Sequence, residues 1–474
     1  MPKSQKLGAA DVAWLRMDAP TNPMTIVGLM AFGEPMTLSQ VRTLIAERLL
    51  IFERFRQRIE GAGDDPRWVT DETFDIGAHI HRIGLPAPGD KAALQELAGT
   101  LMSERLDLSK PPWQMHLVED FDGGSVLIVR LHHTIGDGIA LIHVLLSMAD
   151  EYYATLDHSK IPSYGRAPEQ RGLLESLVRP VGKTVTGLGR TAGSVLSGAF
   201  SVAQHPGKVL DFARTSMSVG AAASRIALYP TDTPTQFKGD VGVTKRVAWS
   251  GAIPVADMKA VGHAVGAKLN DVLLAAVAGG LRRYFLAQGE PVEGVEFGTV
   301  IPVNLRPLEK AFELGNQFGI VFLYLPVGLE SATERLLEVQ RRMGTIKSSA
   351  EPVVAFAILQ AIGAGPGLLH REVVDLLSAR FSAVTTNVPG PQERLHMLGV
   401  PVSHLMFWVP RAGEIGLGIS VISYAGDVRV GVATDAKLAP DPDALVRGLH
   451  EEFEALRAEF AAAKPQAGRR KHRA

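Results

Sequence analysis

The chain has 474 residues, 46% hydrophobic and 21% charged, with a formal net charge of -1 and no cysteine. That length exceeds one ordinary core, so two domains are expected, and the balance is that of a folded globular protein. Near-zero charge gives nucleic acid no general hold, and the missing cysteines exclude disulfides, thiolate metal sites and a cysteine nucleophile.

The first twenty residues lack a continuous apolar core, so no secretory signal is expected. Residues 38–59, LSQVRTLIAERLLIFERFRQRI, carry apolar side chains at helical spacing above a charged face and predict one amphipathic helix. GSVLIVRLHH, residues 124–133, is a β-branched run that predicts a buried strand. Residues 137–156 predict the helix after it, so HHTIGDG (His132 to Gly138) falls on a strand-to-helix loop, a frequent seat for functional side chains.

Between about Gly165 and Gln236, glycine, serine and alanine rise and basic residues outnumber acids. This stretch predicts an inter-domain connection whose basic amphipathic helices suit an anionic membrane surface; a crossover with solvated arginines fits equally well. From Thr244 strand patterns return, interrupted by an apolar helix expected over residues 270–289 with Asn270 as its N-cap. The expected order is an N-terminal domain over 1–165, the connection over 166–236, a C-terminal domain over 237–460 and a basic tail over 461–474. Together these patterns predict a two-domain α/β protein with mixed sheets. Residues 352–370 are the most apolar, but Gln360, Pro366 and the glycines favour a buried or surface-lying helix over a span, and the chain reads as soluble or peripheral.

The motif itself admits three readings. A metal site is disfavoured, because adjacent histidines in a strand point to opposite faces and no HExxH spacing is present. A hydrogen-bonded core histidine with Asp137 capping the next helix is the structural reading. An imidazole with an ordinary pKa near 6.5 is also suited to take a proton from a hydroxyl attacking a carbonyl. Gly136 and Gly138 permit the tight path that would aim it.

HHTIGDG resembles the HHxxxDG motif of the CoA-dependent acyltransferase superfamily, which includes chloramphenicol acetyltransferase-like enzymes and condensation domains. The wider sequence is similar to the bacterial wax ester synthase/acyl-CoA:diacylglycerol acyltransferase family from about Leu7 to Leu456. LGAADVAWLRMDAPTNPM, KPPWQMHLVE, NDVLLAAVAGGLRRYF, PVNLRP, LGNQFGIVFLYLP and TTNVPGP resemble that family's blocks in order. Three positions depart from it: Thr25 where histidine is common, Pro112 where leucine is usual, and Gln236 to Gly239 in place of Leu-Asn-Gly. They bear on the preferred acceptor rather than on the histidine motif.

The resemblance implies a chloramphenicol acetyltransferase-like fold with a tunnel between its domains. It implies fatty acyl transfer from acyl-CoA to diacylglycerol or a long-chain alcohol, with acyl-CoA as a substrate and no cofactor or metal. Carrier-protein condensation or non-catalytic lipid binding are the alternatives. His133 would be the base, with His132 supporting the loop, Asp137 holding it through Arg306, and Gly138 belonging to the substrate-binding set. Asn270 would orient the acceptor or stabilise the oxyanion, and Asn387 and Gly390 would shape a turn near the tunnel. Trp113 would either wall the tunnel or pack in the core. Such acceptors imply a cytoplasmic enzyme associated peripherally with the inner face of the cell membrane or with lipid droplets.

Overall fold

The expected strand forms over Gly124–His132 and lies inside a six-stranded sheet. The computed structural model describes residues 4–63, 65–153, 229–304, 314–347 and 367–462, with Ala355, Phe356, Leu359 and Gly363. The basic connection up to residue 228, Arg306 and the tail from 463 lie outside the described residues, as do most of residues 352–366.

Across the six-stranded sheet the order is His396–Met397, Val400–Trp408, Thr25–Phe32, Gly124–His132, Trp113–Phe121 and Ile80–Ile83. Strand Val400–Trp408 comes from the C-terminal half yet pairs antiparallel with Thr25–Phe32. The sheets therefore do not follow the linear division expected from the sequence: alternation marks a strand, whereas its partner is set by tertiary packing.

A seven-stranded mixed sheet organises the second half. Phe297–Asn304, Ala383–Pro389 and Leu417–Tyr424 run parallel as its middle, with antiparallel neighbours on both sides. Helices Leu269–Ala287 and Pro442–Ala462 pack against each other where Gly280 meets Leu449; a Cβ at Gly280 would lie 2.8 Å from the Leu449 backbone. The halves also dock through helix Lys91–Ser103. Ser103 Oγ accepts from the Lys245 amide at 2.8 Å, and Lys91 Nζ donates to the Trp249 carbonyl at 2.8 Å.

Three expected helices change their bounds. Residues 38–59 form helix Leu38–Leu44, a π-helical turn Ile45–Leu49, a 3-10 turn Glu53–Arg56 and strand Gln57–Glu60. The break follows from burying Leu49, Leu50 and Phe55 together, since one straight helix face cannot hold all three. The second is Gly138–Met148, ending at an extended Ala149, after which Asp150 turns to Arg48 and to the amides of Leu398 and Gly399. The third begins at Leu269 with Lys268 as its cap, so Asn270 is not the N-cap; Asp271 accepts from the Lys268 amide at 2.9 Å.

Among the described residues no single helix is long and apolar enough to cross a membrane. Val255–Val265 and Leu269–Ala287 satisfy that test only together; they are bent by 96°, and the second is buried from Asp271 to Leu281.

Candidate active site

The two motif histidines diverge as alternation requires. His133 has the parity of Leu131, Val129 and Leu127, and all four line a cavity of about 420 Å³. His132 lies on the opposite face, 1% exposed. Its Nδ1 accepts from the Thr134 amide at 3.2 Å, and its Nε2 stands 4.0 Å from the buried Asp18 carboxylate. Burial pushes its pKa down to about 4. His132 braces the loop, with its own amide donating to the Pro112 carbonyl at 2.9 Å.

The His133 ring is stacked on Trp14, with centroids 4.1 Å apart and planes at 19°. Its Nδ1 is 3.0 Å from Asn316 Oδ1, while Asn316 Nδ2 donates to the His133 carbonyl and to Asp11 Oδ1, both at 2.8 Å. A main-chain carbonyl only accepts, so the amide orientation is fixed and Oδ1 must face the ring. Nδ1 therefore carries the proton and Nε2 keeps its lone pair. Burial pushes this imidazole down to about 4, so it is neutral at cellular pH. Burial also raises the pKa of Asp11 and lowers that of Arg54, which faces it, to about 10.

Asp137 caps helix Gly138–Met148: its Oδ1 accepts from the Ala140 amide at 3.0 Å. Its Oδ2 accepts from the Gln317 amide at 2.9 Å, and its own amide donates to the Gly315 carbonyl at 3.3 Å. The capping carboxylate thus ties the motif to the segment carrying Asn316. Arg306, the expected partner, lies outside the described residues.

The remaining expected residues divide. Gly138 and Asn387 line the cavity, and a Cβ at Gly138 would lie 3.2 Å from Val388 Cγ2, where the halves meet. Asn387 Nδ2 donates to Asn270 Oδ1 at 3.3 Å, and Asn270 is not itself among the lining residues. Gly390 allows its strand end to approach Ser423, whose carbonyl would lie 2.4 Å from an added Cβ. Trp113 is fully buried and donates from Nε1 to the Phe55 carbonyl at 2.8 Å. It packs behind Phe55, which does line the cavity, so core packing describes its position. Asn316, Asp11 and Trp14 were not singled out by the sequence, although both blocks that contain them were legible. Among the described residues no group of three His, Asp or Glu is placed to hold a metal.

Residues 7–273, more than half of the chain, match the model of the wax ester synthase/diacylglycerol acyltransferase catalytic domain. The chain belongs to this acyltransferase family. Residues 314–457 match the model of the WS/DGAT C-terminal domain. A Mycobacterium tuberculosis protein named as a probable diacylglycerol O-acyltransferase is 29% identical over 420 residues, covering 86% of this chain and 85% of that protein. The wax ester synthase/diacylglycerol acyltransferase from Marinobacter aquaeolei VT8 shares the fold with a TM-score of 0.68 at 19% identity, covering 96% of this chain and 100% of that one. The first condensation domain of the calcium-dependent antibiotic synthetase also shares it, with a TM-score of 0.59, 17% identity and 97% of both chains covered.

Proposed function

We propose that this acyltransferase moves a fatty acyl group from acyl-CoA to the hydroxyl of a diacylglycerol or a long-chain alcohol, with His133 as general base. The observation that carries the reading is the His133 tautomer. Asn316 takes up Nδ1, which leaves Nε2 basic on a residue that opens on an apolar cavity. Nε2 takes the hydroxyl proton as the oxygen attacks the thioester carbonyl carbon. The tetrahedral intermediate then collapses, the C–S bond breaks, and the departing thiolate receives the proton from Nε2. The product is an ester and free CoA thiol, with no acyl-enzyme.

The surroundings favour transfer to alcohol over hydrolysis. Leu131, Leu141, Ile142 and Phe318 share the cavity with His133, and an apolar site that excludes water protects the thioester. Asp137 and Asn316 hold the loop from opposite halves, so the base is aimed only when the halves are docked. Asn387, at the cavity wall, is suited to orient the acceptor, with Asn270 positioning its amide. Acyl-CoA enters as substrate.

Diacylglycerols and long-chain alcohols partition into bilayers or lipid droplets, so we place the enzyme peripherally on such a surface at the cytoplasmic face. The basic excess between Ser176 and Tyr229 supports that placement.

Purified protein supplied with palmitoyl-CoA and either hexadecanol or dioleoylglycerol tests the reading. Thiol release matched by ester formation and dependent on the acceptor supports it. Thiol release without ester, or transfer only from an acylated carrier protein, contradicts it.

A further inference from the structure

The cavity has a direction. From His133 it follows one face of the six-stranded sheet, past Leu131, Val129 and Leu127, beneath helix Gly138–Met148 and the turn Ile45–Leu49. Apart from His133 and Asp137, every lining residue that these elements and strand Thr25–Phe32 contribute is apolar or glycine. Such a slot suits a hydrocarbon chain and offers nothing to a polar headgroup.

On strand Thr25–Phe32, Ile26, Gly28 and Met30 share this face by alternation, and Leu29 between them also borders the cavity. Gly28 stands opposite Val129 on one side and Phe407 on the other. It is half-buried although Val27 and Leu29 beside it are fully buried, so its exposure is to the cavity. A Cβ there would meet nothing closer than 3.9 Å, so neither packing nor the backbone requires glycine, and a side chain at this position would enter the cavity space that Gly28 lines.

Register converts this into a length. Val129 is four residues before His133, about 13 Å along the strand at ~3.3 Å per residue. An extended chain reaches ~1.2 Å per bond, so an acyl chain whose carbonyl sits at His133 passes Gly28 after about ten carbons. The row formed by Met30, Leu127 and Leu405 lies ~7 Å further, room for about five more carbons.

We propose that Gly28, facing Val129, sets the acyl-chain length this enzyme accepts: its missing side chain lets chains longer than about ten carbons continue into the inner end of the cavity. The proposal rests on the reading of His133 as the site of acyl transfer. It gives Gly28 a role in specificity and none in the chemical step.

The test compares octanoyl-CoA with palmitoyl-CoA, hexadecanol being the acceptor, in wild type, Gly28→Phe and Val129→Phe. The two substitutions fill one row from adjacent strands, so misfolding of one leaves the other informative. Each folded variant is expected to lose palmitoyl-CoA kcat/KM by about a hundredfold and to keep octanoyl-CoA turnover within about threefold, the range of hydrophobic-pocket discrimination. Unchanged palmitoyl turnover, or equal loss of both substrates in folded protein, overturns the proposal. Wild-type protein that turns over neither acyl-CoA overturns the underlying reading instead.

Discussion

Asn316 holds His133 at two points: its Oδ1 meets ring Nδ1 at 3.0 Å, and its Nδ2 donates to the main-chain carbonyl of the same residue at 2.8 Å. The amide therefore fixes ring, backbone and proton together. Asn316→Leu is expected to lower kcat/KM by about a hundredfold, the lower range of what a correctly protonated base contributes. Asn316→Asp puts a carboxylate beside Nδ1, favours the imidazolium and moves the acid limb of the kcat/KM profile to higher pH. A pH profile for Asn316→Asp that superimposes on wild type would refute the positioning role.

Asp137 serves both halves, capping helix Gly138–Met148 through Ala140 and accepting from Gln317. Asp137→Ala removes a helix cap and leaves the Gln317 amide without this acceptor, a loss of at least about 2 kcal/mol. A lower unfolding midpoint in urea with an unchanged m value is the expected result. An unchanged midpoint with lost activity would place Asp137 in the chemistry instead.

Burial pushes His116, His132 and His133 each down to about 4. The unfolded chain protonates them near ~6.5. Between those values the unfolded state binds more protons, so stability is intact above pH 6.5 and falls as pH drops towards 4. Each group steepens that fall by about 1.4 kcal/mol per pH unit at most. Thermal melts from pH 8 to 5 check the direction, and His116→Gln should flatten the curve. A Tm that rises on acidification would show that these imidazoles gain protons on folding.

Vesicle binding tests the basic connection. Arg179, Lys183 and Arg190 each add about 1 kcal/mol near an anionic surface before screening. Co-sedimentation with anionic vesicles should weaken with salt and in the triple glutamine variant. Equal binding by wild type and variant at low salt would move the contact elsewhere, to residues 352–370 first.

Local pattern made the motif and its surroundings legible. A β-branched run followed by glycines and an apolar helix identifies a strand-to-helix loop, and the period of two places His132 and His133 on opposite faces. What was not legible depends on distance along the chain. Asn316 is 183 residues from His133 and directly follows Gly315, which bridges Gly136 and whose φ of 114° requires glycine. Nothing in Leu-Gly-Asn-Gln tells which side chain reaches back. Asp11 and Trp14 lie on a short helix whose pattern fixes a buried face but not its neighbour. Trp113 shows the converse: its size suggested a wall, yet Nε1 found the Phe55 carbonyl one layer behind the cavity. Residues 38–59 read as one helix because periodicity cannot register that Phe55, in a separate 3-10 turn, packs on Trp113 at the cavity.

His133→Ala, assayed with palmitoyl-CoA and hexadecanol alongside a thermal melt, tests the central claim most directly. The expected result is a folded protein whose ester formation falls by at least about a hundredfold, while His132→Ala keeps more activity and melts lower. Near-normal turnover by folded His133→Ala would contradict the assignment of the base.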